Sequence, residues 1–229
     1  IAFITVGNQI GKVNLSKNGP TKGITQATYF RFLLPRLLLD VSKVLYIDAD
    51  TVICDDIAHI YNEEIGDCYV AGVRDIAGYQ DAKNRCQELN IDTLERYINA
   101  GVILMNLDEF RKNNLSEKML SLAAERTFLY NDQDIINSIC FEKIKCIPFA
   151  CNVIIDYLEN SNVISKVLDI DYREEVKNPI VLHYAGRAKP WYSKKGKYAS
   201  FWWNIVDSFG LHIKLLIKYG ARKLKIRRY

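Results

Sequence analysis

Short apolar runs alternate with amphipathic segments along most of the chain. Runs rich in Val, Ile, Leu and Tyr predict strands near residues 1–6, 43–48, 68–73, 101–106, 144–148 and 180–184. Apolar residues at spacings of three and four predict helices near residues 25–34, 80–89, 115–128, 132–142 and 198–208. Because strands and helices follow each other in turn, the pattern predicts an α/β fold with a mostly parallel sheet.

The apolar run Val44–Ile47 ends abruptly in two carboxylates, Asp48 and Asp50. Side chains two positions apart on a strand point to the same side, so both carboxylates are expected to face one cleft. Two close negative charges resist joint ionisation unless a hard divalent cation neutralises them. The run therefore predicts a metal site, and a pair of solvated strand-end carboxylates is the alternative. Asp-x-Asp also occurs at 132–134 and 169–171, but only the first pair follows an uninterrupted apolar strand.

A second apolar run, residues 180–182, ends in His183. A neutral imidazole there would complete a site that already holds two carboxylates. The alternative is a strand-end histidine with an ordinary hydrogen bond. Gly186 permits a positive φ or a close backbone approach. Lys189 precedes a proline, which favours an extended backbone, and its ammonium suits a diphosphate as a point charge.

Two further motifs offer polar groups. Asn99 both donates and accepts hydrogen bonds, which suits sugar hydroxyls, and Ala100 and Gly101 leave space for a ligand. An ordinary turn before a strand explains the same residues. Arg31 lies on the helix predicted from residue 25, where it is either a solvated charge or a fixed guanidinium that recognises an anion.

Residues 131–134 read Asn-Asp-Gln-Asp at a predicted helix N-terminus. Asn131 or Asp132 is expected to cap that helix, and Asp134 is expected to meet the helix dipole favourably. The functional interpretation is a carboxylate–amide cluster that holds a polyol substrate. Both roles are compatible.

The bulk composition indicates the class of protein. A chain of 229 residues with 49% hydrophobic and 25% charged residues suits one globular domain or one domain with an appendage. It has no apolar run of about 18 residues and no basic leader, so we predict neither a transmembrane helix nor a signal peptide. The six cysteines form no Cys-x-x-Cys pair, which favours reduced thiols in a cytoplasmic protein over a zinc site.

The C-terminal end of the chain is strongly basic. Seven Lys and Arg residues and no acidic residue follow Asp207, whereas the whole chain carries a formal charge of +4. We therefore divide the chain into a domain, 1–208, and a basic amphipathic tail, 209–229. Its stretch 211–228 would bind an anionic membrane surface from the cytoplasmic side. A solubilising helix that packs one face on the domain is the alternative, and nucleic acid is not favoured because aromatic positions are not interleaved with basic ones.

Taken in order, five motifs resemble those of family-8 glycosyltransferases, the group that includes bacterial lipopolysaccharide galactosyl- and glucosyltransferases and glycogenin. The matching segments are Thr28–Arg31, Lys43–Asp50, Asn99–Val102, Asp132–Asp134 and His183–Trp191. The resemblance implies a GT-A fold, which is a Rossmann-like α/β domain. It also implies transfer of a hexose from UDP-galactose or UDP-glucose to a saccharide acceptor, with Mn²⁺ or Mg²⁺, in lipopolysaccharide or other surface glycan synthesis.

The resemblance also assigns roles to residues of these motifs. Asp48, Asp50 and His183 would ligate the metal, and Gly186 and Lys189 would hold the diphosphate. The donor sugar or the nucleotide would be contacted by Arg31, Ala49, Asn99, Ala100, Asp132 and Gln133. Family members open with a strand and a loop that bind uracil and ribose. Because the first residues of this chain do not match that opening, we expect the chain to begin within the domain and to lack that N-terminal nucleotide-binding unit.

The family retains the anomeric configuration of the transferred sugar, which leaves two chemical paths open. A double displacement needs a nucleophile on the β face of the sugar. Gln133 is neutral and therefore a poor nucleophile, whereas Asp134 is chemically better but is expected to lie too far from the sugar. A front-face attack assisted by the departing phosphate needs no such group, and we favour it. The catalytic candidates are Gln133, Asp134 and Asp132.

Two other functions fit part of the chain. A haloacid-dehalogenase-type phosphatase uses an apolar strand followed by Asp-x-Asp-x-Thr/Val, which Asp48–Val52 nearly satisfies with Asp48 as nucleophile and Asp50 as acid/base. That function leaves the motif at 183–191 unexplained. A non-catalytic sugar-binding or membrane-surface protein of the same fold is favoured by the unmatched opening and the basic tail.

Overall fold

The computed structural model describes residues 3–6, 9–16, 24–76, 79–186, 189–192 and 198–210. The strands are β1 (Lys43–Ile47), β2 (Thr51–Ile53), β3 (Val70–Arg74), β4 (Ile98–Asn106), β5 (Ile144–Ile147), β6 (Val153–Ile154) and β7 (Val181–His183). The α-helices are α1 (Leu34–Leu37), α2 (Ala58–Tyr61), α3 (Ala82–Leu89), α4 (Leu107–Lys112), α5 (Leu115–Glu125), α6 (Asp132–Cys140), α7 (Ile155–Glu159), α8 (Ser161–Leu168), α9 (Tyr172–Glu175) and α10 (Ala199–Ser208). Short 3-10 segments cover Gln26–Leu33, Tyr79–Asp81, Phe141–Lys143, Phe149–Cys151 and Pro190–Tyr192.

Two small sheets form the centre of the fold. In the larger sheet the strand order is β1-β4-β3-β5, with β4 antiparallel to β1 and β3, and with β5 parallel to β3. In the smaller sheet the order is β2-β7-β6, with β7 antiparallel to β2 and parallel to β6. The predicted α/β class is confirmed, but the pairing is mixed, so the expectation of a mostly parallel sheet is wrong. A helix between two strands enforces parallel pairing only when it crosses over the sheet, and the segment that holds α3 instead returns the chain antiparallel from β3 to β4.

Strand β4 is the central element of the larger sheet. Ile103 and Met105 belong to the apolar cluster that includes residues of α5 and α6. Val102 and Leu104, which alternate with them, belong to a second cluster with Ala71 of β3. Both faces of β4 are therefore covered, which explains why its sequence reads as a nearly continuous apolar run. A strand buried in this way gives the residues at its N-terminal end a rigid support.

Several elements differ from their prediction. The helix predicted from residue 25 is mostly a 3-10 segment, Gln26–Leu33, continued by α1. Residues 3–6 are not in a strand, contrary to the prediction. The sequence pattern does not predict β2 and β6, because strands of three and two residues are too short to establish a period.

Helix α10 is the last described element, and the predicted basic tail beyond residue 210 lies outside the described residues. Among the helices that the structure describes, none combines the length and the apolar character needed to cross a bilayer. All six cysteines are free thiols, and two of them, Cys140 and Cys151, are buried.

Candidate functional site

The turn between β1 and β2 carries Asp48 and Asp50. Strand β1 ends at Ile47, so the two carboxylates converge through a turn and not through the alternation of one strand. The Asp48 N–H donates to the Gly101 carbonyl at 2.7 Å. The Thr51 hydroxyl donates to the Asp48 carbonyl at 2.9 Å. The first bond attaches the turn to β4, and the second closes the turn itself.

Strand β7 brings His183 to the same turn. Thr51 lies opposite His183 in the antiparallel register of β2 and β7, and the Tyr184 N–H donates to the Asp50 carbonyl at 2.9 Å. Nε2 of His183 consequently lies 3.4 Å from Asp50 Oδ1 and 4.0 Å from Asp48 Oδ2. One ligand atom from each of the three residues lies within 4.8 Å of the others. The fold therefore brings together the three residues that the sequence singles out as metal ligands.

Two amide side chains orient the imidazole of His183. Nδ2 of Asn152 donates to Asn99 Oδ1 at 2.9 Å, which leaves Asn152 Oδ1 facing His183 Nδ1 at 3.1 Å. Because that oxygen can only accept, Nδ1 carries a proton, and Nε2 is the ring nitrogen that faces the two carboxylates and that a neutral ring would offer to a metal ion. An imidazole buried and held in this way is suited to bind a metal ion.

Gly101 provides the space that this ring occupies. A Cβ on Gly101 would lie 2.1 Å from Cε1 and 2.8 Å from Nδ1 of His183. No side chain fits at that distance, so the imidazole requires glycine at this position. The expectation that Gly101 leaves space for a ligand is therefore wrong, because the His183 ring fills that space.

Arg31 connects two of the motifs. Its Nη2 lies 2.9 Å from Asp48 Oδ1, its Nε lies 3.1 Å from Asp132 Oδ2, and its Nη1 donates to the Ala100 carbonyl. The centroid of the Tyr46 ring lies 4.1 Å from the guanidinium carbon. Burial alone would lower the pKa of Arg31, but the carboxylates of Asp132 and Asp48 outweigh burial and raise this pKa. With only 4% of its surface exposed, Arg31 is a fixed buried cation, and its interpretation as a solvated charge is wrong.

The two oxygens of Asp48 face different partners. Oδ1 accepts from Arg31 and from the Tyr46 hydroxyl, the latter at 2.7 Å. Oδ2 is the oxygen nearest to His183. By binding Oδ1, Arg31 and Tyr46 orient Oδ2 of Asp48 toward His183.

Lys189 pairs with Asp50. Its ammonium contacts Asp50 Oδ2 and donates to the Tyr184 carbonyl at 2.6 Å. Burial alone would raise the pKa of Asp50, but hydrogen bonds and positive charge from His183 and Lys189 hold that pKa well below its usual range. Asp50 is therefore fully ionised at neutral pH.

Two small residues lie beside these charges. Gly186 has a φ of 84°, in the left-handed region that favours glycine, and a Cβ there would lie 3.1 Å from Asp156 Oδ2. Ala49 is exposed in the turn between Asp48 and Asp50. Both residues are exposed to solvent.

Gln133 lies in a buried amide network. Its Nε2 donates to Asp75 Oδ2 at 3.0 Å and to the Tyr97 hydroxyl at 3.1 Å. Its Oε1 accepts from Asn99 Nδ2 at 3.0 Å and from the Ala100 N–H at 3.2 Å. Asn99 Nδ2 also donates to Asp75 Oδ2, at 2.9 Å. These bonds fix which end of the Gln133 amide points in which direction.

Asp134 is fully buried next to this network. Its Oδ1 accepts from the Tyr97 hydroxyl at 2.7 Å and pairs with Arg85 Nη2. Its Oδ2 accepts from the Tyr130 N–H at 2.8 Å. Both oxygens are therefore engaged by groups of the fold itself.

The predicted cap of α6 differs in the structure. Asn131 occupies the N-cap position with a φ of 46°, but its side chain accepts from the Ser16 N–H at 2.8 Å and makes no bond to the helix. Asp132 is the first helical residue, and its carboxylate binds the Thr28 hydroxyl and Arg31. The carboxylate of Asp132 thus pairs with the buried guanidinium of Arg31 and does not occupy the N-cap position of the helix.

Several polar residues of this site do not belong to the predicted motifs. They are Asp75, Arg85, Tyr97, Asn152 and Tyr157. Asp75 directly follows β3, so the rule that finds Asp48, a carboxylate at the end of an apolar strand, also finds Asp75. Tyr157 donates its hydroxyl to Asp75 Oδ1, but neither it nor Asn152 lies in a segment whose sequence distinguishes it.

Comparison with known proteins gives this geometry a context. The family model described as glycosyl transferase family 8 matches residues 3–195. Lipopolysaccharide 1,2-glucosyltransferase of Escherichia coli K12 is 28% identical over 172 residues, which are 73% of this chain and 50% of that protein. General stress protein A of Bacillus subtilis is 28% identical over 177 residues, which are 74% of this chain and 60% of that protein. The chain thus spans about half the length of these curated relatives.

The fold has a counterpart among solved structures. An active-site mutant of LgtC, in which glutamate replaces a glutamine, superposes with a TM-score of 0.67 and 25% identity, over 81% of this chain and 68% of that one. The galactosyltransferase LgtC in complex with donor and acceptor sugar analogues superposes with a TM-score of 0.60 and 25% identity, over 78% of this chain and 64% of that one. These likenesses confirm the expected GT-A type of α/β fold.

Proposed function

The chain belongs to glycosyltransferase family 8, and from that premise we propose that it transfers galactose or glucose from a UDP-sugar to a saccharide acceptor with retention of configuration. The observation that carries this proposal is the convergence of Asp48, Asp50 and His183 within 4.8 Å, next to the buried Arg31 and the Gln133 network. Its similarity to a lipopolysaccharide glucosyltransferase supports a place in lipopolysaccharide or other surface glycan synthesis. The family membership sets the phosphatase alternative aside.

The donor atoms of the three residues fit a divalent cation. Two carboxylates and a neutral imidazole suit Mn²⁺, and Mg²⁺ is the second choice because imidazole is a poorer ligand for it. Asp48 and Asp50 would each contribute one oxygen, and His183 would contribute Nε2. When bound, the ion would neutralise negative charge that the UDP diphosphate gains as the glycosidic bond breaks.

Lys189 and Gly186 would hold the diphosphate. The ammonium of Lys189 already lies beside Asp50, so it adds a positive charge at the edge of the metal site. Gly186 has no side chain to obstruct an approaching phosphate oxygen. With a departing diphosphate stabilised in this way, the leaving group needs no strong general acid.

The remaining motif residues would contact the donor. Arg31 fixes Asp48 and Asp132 in place, and Asp132 offers a carboxylate to sugar hydroxyls. The oxygen of the Asn99 amide accepts from Gly101 and Asn152, and its nitrogen donates to Asp75 and Gln133, so Asn99 would support the donor site through these neighbours. Ala49 and Ala100 would line the donor with small side chains. Asp75 holds the amides of Gln133 and Asn99 in one orientation, so we assign it a positioning role.

The environments of Gln133 and Asp134 favour front-face attack. Gln133 is neutral and its amide is hydrogen-bonded at both ends, which suits a group that orients the sugar better than a nucleophile. Asp134 is a chemically competent nucleophile, but Arg85 and Tyr97 engage it in the interior. The acceptor hydroxyl would then lose its proton to the departing phosphate, and Asp132, Gln133 and Asp134 would hold the geometry in which this occurs.

The C-terminal end supports a peripheral association with the inner face of an anionic membrane. Phe201, Ile205 and Phe209 are exposed at intervals of four residues, along α10 and the turn that follows it. This apolar stripe leads into the seven basic residues that follow Asp207. An apolar stripe joined to a basic segment is typical of a surface-binding helix.

Calorimetry with Mn²⁺ and UDP tests the proposal directly. We expect the protein to bind Mn²⁺, and to bind UDP more tightly when Mn²⁺ is present. Hydrolysis of UDP-galactose and UDP-glucose, followed by NMR, would then identify the donor and the anomer released. A protein that binds neither Mn²⁺ nor UDP would be the non-catalytic relative of these enzymes.

A further inference from the structure

Helix α10 holds the segment that carries Lys189. The indole N–H of Trp203 donates to the Pro190 carbonyl at 3.0 Å. Trp203 is buried, and it forms an apolar cluster with Ala199 and Val206 of the same helix. The residue that follows Lys189 is therefore tied to the centre of α10.

Aromatic contacts reinforce this attachment. The rings of Trp191 and Trp202 lie 5.8 Å apart at an angle of 54°, and those of Trp202 and Trp203 lie 4.9 Å apart and nearly perpendicular. The ammonium of Lys189 lies 5.9 Å from the centroid of the Trp191 ring. Trp191, whose ring lies beside the Lys189 ammonium, thus packs on Trp202 of α10.

A second bond attaches the chain on the N-terminal side of Lys189. The Tyr184 hydroxyl donates to the Tyr198 carbonyl, next to the first turn of α10, at 2.8 Å. The Tyr184 carbonyl is the group that accepts from Lys189. Tyr184 and Pro190, which precede and follow Lys189 in the sequence, are consequently bound to the start and to the middle of α10.

From these contacts we infer that Trp203 is a positioning residue for Lys189, and that α10 is the element that sets where the ammonium stands above Asp50. The inference rests on the proposed function, in which Lys189 binds the diphosphate. A lysine has a flexible four-carbon stem, so its charge is well placed only if its backbone is fixed. Pro190 itself has no N–H, so its carbonyl is the backbone group through which it is attached.

The test uses the full chain with Mn²⁺ present and measures UDP affinity by calorimetry. Trp203→Phe keeps an aromatic ring in the cluster but removes the indole donor, and Trp203→Tyr serves the same purpose if the Phe variant does not fold. We expect UDP affinity to fall about three- to tenfold, the usual worth of one hydrogen bond. In Lys189→Met, the further change Trp203→Phe should cause no additional loss, because Trp203 acts only through Lys189.

Val206→Ala is the matched control, since Val206 is buried in the same cluster but makes no bond to Pro190. It should lower the melting temperature and leave UDP affinity within about twofold. Wild-type UDP affinity in Trp203→Phe, or losses that add in the double variant, would overturn the inference while leaving the proposed function intact. A wild-type protein that does not bind UDP with Mn²⁺ would overturn both.

Discussion

The ring of His183 lies directly against the backbone of Gly101. A Cβ at that position would come within 2.1 Å of the imidazole. The motifs Asn99–Val102 and His183–Trp191 therefore depend on each other. Gly101 on β4 leaves the space through which His183, at the end of β7, reaches the two aspartates of the turn between β1 and β2.

Gly101→Ala is expected to displace the imidazole and to separate Nε2 from Asp48 and Asp50. Mn²⁺ affinity should fall by about 10- to 100-fold, as is usual when the group that supports a metal ligand is disturbed. Calorimetry measures this change. Gly72→Ala, on the neighbouring strand β3, is the control. A Cβ at Gly72 would also meet side chains closely, but these belong to Ile98 and Ile103 and not to the proposed metal ligands. Equal Mn²⁺ affinity in wild type and Gly101→Ala would contradict the assignment.

Arg31→Met should destabilise the protein by about 3–5 kcal/mol, because it leaves Asp48 and Asp132 without their shared counter-charge in the interior. Urea denaturation at neutral pH measures the loss. Arg36→Met provides the comparison, since the Arg36–Glu117 pair is about half exposed and should contribute no more than about 1 kcal/mol. Similar losses in the two variants would show that Arg31 is not the buried cation described above.

Asp134→Asn separates the two paths to retention. The variant should lose about 3–5 kcal/mol of stability because Arg85 loses a buried partner. The protein that remains folded should still transfer sugar, because front-face attack needs no carboxylate at this position. Turnover per folded molecule and intact-protein mass spectrometry provide the measurements. A hexose covalently attached to Asp134 in the wild type would establish the double displacement instead.

Deletion of residues 212–229 should release the protein from anionic vesicles, since each basic residue near such a surface contributes about 1 kcal/mol. Turnover with a soluble acceptor should change little, because the site lies in the domain. Vesicle sedimentation with phosphatidylserine, compared with neutral lipid, measures binding. Unchanged sedimentation of the shortened chain on phosphatidylserine would assign the membrane contact to another surface.

The sequence predicts the convergence of Asp48, Asp50 and His183 because one rule applies to both halves of this group. Val44–Ile47 and residues 180–182 are apolar runs that end in a ligand-forming side chain, and the fold places the two ends beside each other. The same rule, applied consistently, also selects Asp75 at the end of β3. Apolar periodicity likewise predicts α5, α6 and α10, whose buried faces are long enough to establish a period.

Other features depend on contacts that no local pattern contains. The pairing of Asp134 with Arg85 joins residues 49 positions apart, and the bond of Asn152 to His183 joins residues 31 positions apart. The direction of pairing in the larger sheet is also invisible in the alternation of strands and helices, because that alternation does not say whether α3 crosses over the sheet. The solvated alternative for Arg31 and the cap role for Asp132 are wrong for the same reason, since the two residues pair with each other across the fold.

The measurement that tests the central claim most directly is the Mn²⁺ dependence of UDP-sugar turnover in the wild type, Asp48→Ala and Asp50→Ala, with circular dichroism as the check on folding. The account predicts that the wild type turns over UDP-galactose or UDP-glucose with Mn²⁺ and stops when the ion is chelated. It predicts that both variants stay folded but have lost this activity. Near-normal, Mn²⁺-dependent turnover in either variant would contradict the assignment of the two carboxylates to the metal.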